Sequence, residues 1–271
     1  MVKKNIKKYF SKSAATYDEN AAMQSAIEDK LIGMMSDTMT ATDALDLGAG
    51  TCSGALKLID RFDIDRLTVC DIAHGMMTYA KKKNEQCSSV MDYVTADMEH
   101  LPFKENMFDL VYSSSAAHWV PDIWRLFNSA RGLLKENGTF CFSAFGDDSL
   151  QELRAAFEEA YIKAGLEPRE HVNRFHPFHE IVLKLKQAGF NSMTTEIEKV
   201  KVSYESVMDL LRSLKGIGSH MVYASSDDKN SRTRYLGKSF LRDVIEIYEK
   251  NCMKNDKVFA TYNIYYFIVK E

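Results

Sequence analysis

The sequence has few of the features that mark secreted, metal-binding or membrane proteins. Its five cysteines, among 271 residues, are scattered and form no Cys-x-x-Cys pair, which argues against a disulfide framework and against a zinc site. No apolar run reaches the roughly 18 residues that a membrane helix needs. No apolar segment of signal-peptide length follows the basic N-terminus. We therefore expect a reduced, cytoplasmic protein with no metal and no membrane segment.

A basic excess, internal repeats and low-complexity tracts are also missing. The formal net charge is −3 at pH 7, whereas proteins that bind nucleic acids in general carry a basic excess. We therefore expect no nucleic-acid partner. The chain is 45% hydrophobic and 27% charged, which is an ordinary globular composition with enough apolar material for a sizeable core.

Strand and helix patterns alternate through the first half of the chain. The apolar runs predict strands, and the segments between them have helical spacing. Such alternation predicts an α/β fold with a parallel sheet and right-handed crossovers. The predicted strands are 44–47, 66–70, 91–95, 108–112 and 139–145.

The rhythm changes after residue 146. A helix is predicted at 149–164, with its N-cap among Asp147, Asp148 and Ser149. Two further β-prone segments, 194–202 and 258–269, enclose a helical stretch. We expect that stretch to lie over the carboxyl-end crevice of the sheet, where ligands bind in such folds. The predicted division is a lid segment at 1–38, a core at 39–202 and 253–271, and a lid insertion at 203–252.

A glycine loop follows the first predicted strand. Gly48 and Gly50 allow a tight turn and let a ligand approach the backbone. Asp46 disfavours a pyrophosphate and favours a ligand with a cationic part, such as S-adenosylmethionine. Asp71 ends the next strand, where an acid can bind two ribose hydroxyls. The sequence therefore predicts a nucleoside site at this loop.

Two later strands also end at residues with functional potential. Asp97 follows the third strand, so that its carboxylate or the N–H of Met98 can meet the adenine amino edge; the alternative is a turn aspartate. His118 and Trp119 lie in the loop after the fourth strand. They either face the methyl donor or are a surface histidine and a tryptophan packed under the next helix.

Two segments further along have open interpretations. His176 and His179 have a metal-like spacing, but no acid or cysteine cluster accompanies them, so we interpret them as part of a turn. The segment Ser213–His220 contains two glycines inside a helical pattern. It is either a plain helix–turn–helix corner or a hinged lid whose Lys215 and His220 would suit an anionic substrate.

Several segments resemble one methyltransferase family. The Asp46-x-Gly48-x-Gly50 loop followed by Asp71 is similar to the signature of class I S-adenosylmethionine-dependent methyltransferases, with Cys52 in place of a third glycine. Four more specific segments resemble the malonyl-acyl-carrier-protein O-methyltransferases of biotin synthesis, although His118 replaces a glutamine and His220 falls one position early. These segments are Phe10–Asp18, Ala117–Trp119, Val172–Phe175 and Ser213–His220.

The resemblance implies a Rossmann-like class I fold with a mostly parallel seven-stranded sheet, helices on both faces and a helical lid. It implies methyl transfer from S-adenosylmethionine to the free carboxylate of malonyl-loaded acyl carrier protein. The products would be S-adenosylhomocysteine and the methyl ester that starts pimeloyl and biotin synthesis. The expected donor-binding residues are Phe10, Tyr17, Asp46, Gly48, Ala49, Gly50, Asp71, Ile72, Asp97, Met98 and Ser113.

The substrate carboxylate is expected to be held by a cation in one of the family-like segments. Lys215 is favoured because a point charge leaves one carboxylate oxygen free to attack, whereas an arginine engages both. Arg174 and His220 are the next candidates, and His118 is expected to donate a hydrogen bond.

Carrier proteins are typically acidic, so a transient electrostatic contact is expected at a local basic patch. The candidates are Lys199, Lys201, Arg212, Lys184 and Lys186. Two other functions are considered: a methyltransferase for another small-molecule or quinone-like acceptor, and a non-catalytic S-adenosylmethionine-binding module. The acids at the three strand ends argue against the second alternative.

Overall fold

The computed structural model describes residues 2–87, 89–217 and 237–271 and shows one twisted sheet with helices on both faces. The strands of the described part are β1 (Thr40–Leu47), β2 (Asp63–Asp71), β3 (Met91–Thr95), β4 (Phe108–Ser113), β5 (Leu134–Phe145), β6 (Ser192–Tyr204), β7 (Met253–Lys254) and β8 (Lys257–Lys270). The helices there are α1 (Val2–Ser13), α2 (Tyr17–Asn20), α3 (Ala22–Gly33), α4 (Ser53–Arg61), α5 (His74–Lys83), α6 (Ile123–Leu133), α7 (Gln151–Lys163), α8 (Phe178–Gln187), α9 (Val207–Gly216) and α10 (Lys238–Cys252). Among the described helices, none is both long and apolar enough to cross a membrane.

The strand order is β3-β2-β1-β4-β5-β8-β6. The first five of these strands are parallel, and β8 runs antiparallel to both β5 and β6. The order reverses between β1 and β4, so the carboxyl ends of these two strands border the crevice where ligands bind in open α/β sheets. This position holds the glycine loop and the loop after β4.

The sheet separates two hydrophobic cores because successive strand residues point to opposite faces. Leu110 and Tyr112 of β4 pack with α3, α4 and α7, whereas Val111 packs with α6 and α8. On the α6 side, Phe142 stacks on Phe267 with the ring centroids 4.7 Å apart. Burial of side chains this large is the main contribution to the stability of such a core.

Two details differ from the sequence-based expectations. Within the described residues the sheet contains eight strands rather than seven, because the two-residue β7 pairs with the start of β8. The predicted N-cap among Asp147–Ser149 is wrong, since Leu150 occupies the N-cap position of α7 with a left-handed φ of 58°. The Ser149 hydroxyl does not cap α7, because its oxygen accepts the Asn263 N–H of β8 at 3.0 Å while it donates to the Asn263 carbonyl at 3.0 Å.

The described parts of the two segments predicted as lids contact the crevice end of the sheet, and residues 218–236 of the second lie outside the described residues. The N-terminal helix α1 lies against α5, where the Gly75 N–H donates to Ser11 Oγ at 3.2 Å. Helix α9 begins at an N-cap serine, Ser206, whose hydroxyl accepts the Asp209 N–H at 3.1 Å. Helix α10 packs on α7 and adds Val244 and Tyr248 to the core. That either segment opens and closes stays a prediction.

Candidate active site

The glycine loop between β1 and α4 is fixed by two hydrogen bonds to the neighbouring strand. The N–H groups of Gly48 and Ala49 donate to the Cys70 carbonyl at 2.7 and 3.1 Å. Gly48 has a φ of +76°, and a Cβ atom there would overlap that of Ala116. Gly50 also has a positive φ, +54°, but a Cβ there would meet nothing within 4 Å. The two glycines therefore serve different purposes, close packing at Gly48 and open backbone at Gly50.

Cys52 occupies the position of the third glycine in a left-handed conformation. Its φ is 68° and its side chain is fully buried beneath the loop. A left-handed residue other than glycine costs roughly 1–2 kcal/mol. The burial of the thiol in the core opposes this cost, so the loop keeps the glycine-like turn without the glycine.

Asp71, at the end of β2, accepts two backbone hydrogen bonds. One carboxylate oxygen accepts the Gly50 N–H at 3.1 Å, and the other accepts the Ala73 N–H at 2.7 Å. Burial raises the pKa of Asp71, and these two bonds oppose the rise. A carboxylate can accept about four hydrogen bonds. Capacity for two hydroxyl donors is therefore left on an acid that lines the cavity beside Gly48 and Gly50, which we call the loop cavity.

Asp46 lies under the glycine loop and is only 2% exposed. Burial raises its pKa, and the charges of Glu28 and Asp71 raise it further. Glu28 comes from α3 and was missed by the sequence analysis, because nothing in its local pattern connects it to a loop 20 residues away. The Glu28 carboxylate accepts a hydrogen bond from the Ser53 hydroxyl at 2.8 Å and forms an ion pair with Lys57 at 3.2 Å. Three carboxylates at one loop favour a ligand that carries positive charge.

Aromatic side chains from the N-terminal segment cover the loop cavity. Phe10 packs edge to face against Trp119, with ring centroids 5.6 Å apart, and its ring centroid lies 6.4 Å from that of Tyr17. All three side chains line the loop cavity together with Asp71 and Ile72. The structure thus brings the predicted residues Phe10 and Tyr17 to the predicted site, and their binding role stays a prediction.

The loop after β4 contains a functional candidate that the sequence analysis missed. Ser113 was predicted to bind the donor, but it is fully buried and donates to the Leu47 carbonyl at 2.8 Å. Ser115 instead lines the loop cavity, and its φ of 52° is left-handed. Among the residues that the structure describes, its buried hydroxyl has no hydrogen-bond partner. A strained residue with an unpartnered hydroxyl at a cavity is a typical feature of a functional position.

The two residues predicted to contact the adenine, Asp97 and Met98, differ in their position relative to the loop cavity. The Asp97 carboxylate accepts the Glu99 N–H at 3.0 Å within a turn, which agrees with the interpretation of Asp97 as a turn aspartate. The backbones of Asp97 and His100 also form an isolated antiparallel β-bridge. Met98 lines the loop cavity, with its terminal methyl close to Gly48. The structure therefore places the side chain of Met98, rather than that of Asp97, on the cavity wall.

A second cavity, which we call the apolar cavity, adjoins the first. Phe10, Tyr17, Ser115 and Trp119 line both. The rest of its lining is aromatic or aliphatic apart from Gln24 and His118. It includes Phe145, Phe175, Leu214, Ile217 and Tyr262.

His118 is 9% exposed and surrounded by aromatic rings. The ring centroids of Trp119, Phe145 and Phe175 lie 5.2, 4.9 and 5.0 Å from its own. Burial lowers the pKa of His118 from 6.5 to about 3. Its Nδ1 accepts the Phe145 N–H at 3.4 Å, so the proton of the neutral ring is on Nε2. His118 is therefore neutral and carries its N–H at Nε2. Its expected hydrogen bond to the substrate stays a prediction.

The predicted cations do not come together at this cavity in the described part of the chain. Lys215 is exposed on the last turn of α9, although Leu214 and Ile217 beside it line the apolar cavity. Arg174 is exposed and its Nε lies 2.8 Å from a Glu170 oxygen. His220 lies outside the described residues. The assignment of the carboxylate to one of these cations stays a prediction.

Comparisons with known proteins identify the family. The family model "Methyltransferase domain" matches residues 45–142, from β1 to β5. A malonyl-acyl-carrier-protein O-methyltransferase of Nitrosospira multiformis is 31% identical over 97% of this chain and 87% of its own length. The chain belongs to the malonyl-acyl-carrier-protein O-methyltransferase family. A member from Geobacter sulfurreducens is 30% identical over 99% of this chain and 98% of its own length.

Other matches agree with this family and its fold. A biotin biosynthesis bifunctional protein of Saccharophagus degradans is 34% identical over 92% of this chain, which spans 43% of that longer protein. The Haemonchus contortus phosphoethanolamine N-methyltransferase 2, solved with S-adenosylhomocysteine, matches with a TM-score of 0.58 at 17% identity. That match covers 96% of this chain and 57% of the Haemonchus chain. The Bacillus subtilis YcgJ protein has a TM-score of 0.58 at 13% identity over 85% of this chain and 92% of its own. These two structures show the fold.

The residues at the loop cavity fit the methyl donor of such a family. Asp71 has capacity for two hydroxyl groups, the Gly50 backbone is open, and Met98 and Trp119 offer apolar surface to a flat base. Asp46 and Glu28 do not line this cavity but lie at the same glycine loop. They suit the positive charges of S-adenosylmethionine, because burial raises the pKa of both and a nearby cation would offset that rise. In the described part of the chain, no cluster of metal-ligating side chains was found.

Proposed function

We propose that this chain transfers a methyl group from S-adenosylmethionine to the free carboxylate of malonyl-loaded acyl carrier protein. The product is the malonyl methyl ester with which pimeloyl and biotin synthesis begins. The observation that supports this function best is the meeting of two cavities at Tyr17 and Ser115. One cavity has the acid Asp71 and the open backbone of Gly50, which suit the donor. The described lining of the other is uncharged and mostly apolar, which suits an acyl thioester.

The donor supplies an electrophilic methyl group on a positively charged sulfur. Asp71 would bind the ribose hydroxyls, Gly50 would allow close approach to the backbone, and Phe10 and Tyr17 would cover the bound molecule. Their contribution is positioning and exclusion of water, which together can account for a large part of the barrier reduction in a bimolecular transfer.

The acceptor needs no general base, because a carboxylic acid with a pKa of about 4 is already ionised at neutral pH. The chemistry of the apolar cavity agrees with this requirement. His118 has its pKa lowered to about 3 by burial, so it is a poor proton acceptor and acts here as a donor to a substrate oxygen. No proton has to leave the site during the reaction.

Mass spectrometry of the carrier protein tests the proposed function. Malonyl-loaded carrier protein incubated with the chain and S-adenosylmethionine should gain the mass of one methylene group. Acetyl-loaded carrier protein is the matched control, because it has the same thioester but no free carboxylate, and its mass should not change. Methylation of both proteins, or of neither, would contradict the proposal.

We also propose that the carrier protein docks through exposed basic side chains, although the candidates lie on two faces. Val200 and Val202 of β6 pack on the α3 side of the sheet, so Lys199 and Lys201 alternate to the side of α8. Arg212 extends from α9 on the other side and is paired with Asp209 at 2.7 Å. These side chains do not form one continuous patch. The carrier protein therefore docks either on the surface with Lys199 and Lys201 or on the surface with Arg212.

The salt dependence of the Michaelis constant tests this docking. Exposed charges are screened over about 8 Å at physiological ionic strength, so the constant for malonyl-loaded carrier protein should rise with salt. Malonyl-pantetheine, which has the same thioester without the acidic protein, should show little change. Equal salt dependence of the two substrates would contradict electrostatic docking.

A further inference from the structure

The apolar cavity has an uncharged lining in the described part of the chain. Its titratable members are His118, Tyr17 and Tyr262. Burial lowers the pKa of His118 to about 3, and it raises the pKa of Tyr17 and that of Tyr262 above the ordinary value for tyrosine. Each of these groups is therefore neutral at pH 7, and the described lining provides no counter-ion for a carboxylate.

The same lining provides neutral hydrogen-bond donors. His118 Nε2 carries the ring proton because Nδ1 accepts the Phe145 N–H. The Ser115 hydroxyl is buried and has no partner among the described residues. Gln24, which is 6% exposed, lies at the wall of the cavity. These groups can orient a carboxylate, but three neutral donors do not replace the charge compensation that a buried anion requires.

The missing positive charge can come from the loop cavity. Phe10, Tyr17, Ser115 and Trp119 line both cavities, so a ligand group at this boundary faces both sites. The sulfonium of the methyl donor carries one positive charge, and the malonyl carboxylate carries one negative charge. In a site without water, these two charges attract each other strongly.

We infer that the apolar cavity binds the malonyl carboxylate only while a positively charged donor occupies the loop cavity, with His118, Ser115 and Gln24 orienting it as neutral donors. This inference rests on the proposed function and replaces the cation expected from the sequence with the charge of the donor itself. Binding is then ordered, with the donor first. S-adenosylhomocysteine, which is neutral at sulfur, does not support binding of the free acid.

The charge balance of the reaction supports this arrangement. A lone pair of the carboxylate oxygen forms the new O–C bond while the C–S bond breaks, and its electron pair stays on sulfur. One positive and one negative charge disappear together, and no proton moves. A fixed lysine would keep its attraction for the carboxylate and so stabilise the ground state over the transition state, whereas the neutral lining stabilises them more evenly.

The test is a binding measurement that does not depend on turnover. Malonyl-pantetheine is titrated into the chain saturated either with S-adenosylhomocysteine or with an analogue that has an amine-bearing carbon in place of the methylated sulfur. Trp119 and Trp124 are the two tryptophans, so the emission of Trp119 can be followed in a Trp124→Phe background. We expect at least tenfold tighter binding with the cationic analogue, about 1.4 kcal/mol. The methyl ester of the same thioester should show no preference.

A charge added at the edge of the cavity gives an independent test. Ile217 lines the apolar cavity and is half-buried just after α9. In Ile217→Lys, the free acid should bind almost equally well with either donor analogue. Its affinity in the presence of S-adenosylhomocysteine should lie within about threefold of its affinity in the presence of the cationic analogue. Ile217→Met, with a neutral side chain of similar length, should keep the tenfold preference. Loss of the preference in Ile217→Met as well would overturn the inference.

The outcomes separate this inference from the proposed function. Equal binding of the free acid with both donor analogues, with methylation of the carrier protein intact, would overturn the inference alone. The carboxylate would then be held by a protein cation, and Lys215, Arg174 and His220 would be the candidates. No binding of the thioester in either state would overturn the inference together with the assignment of this cavity to the acceptor.

Discussion

The two glycines of the loop should respond differently to the same substitution. Gly48→Ala puts a methyl group into the space of Ala116 at a φ of +76°. The conformational cost is about 1–2 kcal/mol, and overpacking adds about 1–3 kcal/mol. Gly50→Ala has only the conformational cost, because nothing lies within 4 Å of the added atom. We expect losses of unfolding free energy of about 2–5 kcal/mol at Gly48 and about 1–2 kcal/mol at Gly50.

Urea unfolding of the two variants without ligands measures this difference. The lower entropy of the unfolded chain is the same for both substitutions and cancels in the comparison. Donor affinity should instead fall more in Gly50→Ala than in Gly48→Ala. Both glycines line the loop cavity, but a Cβ at Gly50 would enter open space, whereas a Cβ at Gly48 would point at Ala116. Calorimetry with S-adenosylhomocysteine measures that affinity. Equal losses of stability at the two positions would refute the idea that contact with Ala116 fixes the turn.

Three further predictions concern the ligand sites. Asp71→Ala should weaken donor binding strongly, since two hydroxyl contacts to a charged acceptor are worth about 1.5–3 kcal/mol each; unchanged affinity in calorimetry would contradict the ribose assignment. His118 has a pKa of about 3 when folded and 6.5 when unfolded, so the unfolded chain binds more protons between these values. Stability should therefore fall as the pH drops below 6.5, by up to about 1.4 kcal/mol per pH unit from this group. His118→Gln should reduce that slope in urea unfolding at pH 5 to 7, and an unchanged slope would show that the ring is not buried as a neutral group. Removal of residues 1–19 takes away Phe10 and Tyr17 and should abolish turnover while circular dichroism still shows the sheet; normal turnover would show that this segment does not cover the donor.

Local sequence patterns were sufficient for the order of the elements and for the placement of the glycine loop beside Asp71. Alternating strands and helices predict a parallel sheet because crossovers have one hand, and the comparisons confirm the Rossmann-like fold. Gly48, Gly50 and Asp71 fall on adjacent strand ends, so sequence order alone brings them together. Their chemistry is local, because it depends on a turn, a strand end and one acid.

The apolar cavity was decided by the tertiary structure. Gln24, Ser115 and Tyr262 come from distant parts of the chain, and no periodic pattern shows that α3, the loop after β4 and β8 meet at one crevice. Charge state is equally nonlocal. The sequence offers Lys215 as an obvious cation, yet its side chain is exposed, while burial among three aromatic rings makes His118 neutral. A side chain's type is written in the sequence, but its solvent exposure and its pKa depend on what the fold packs around it.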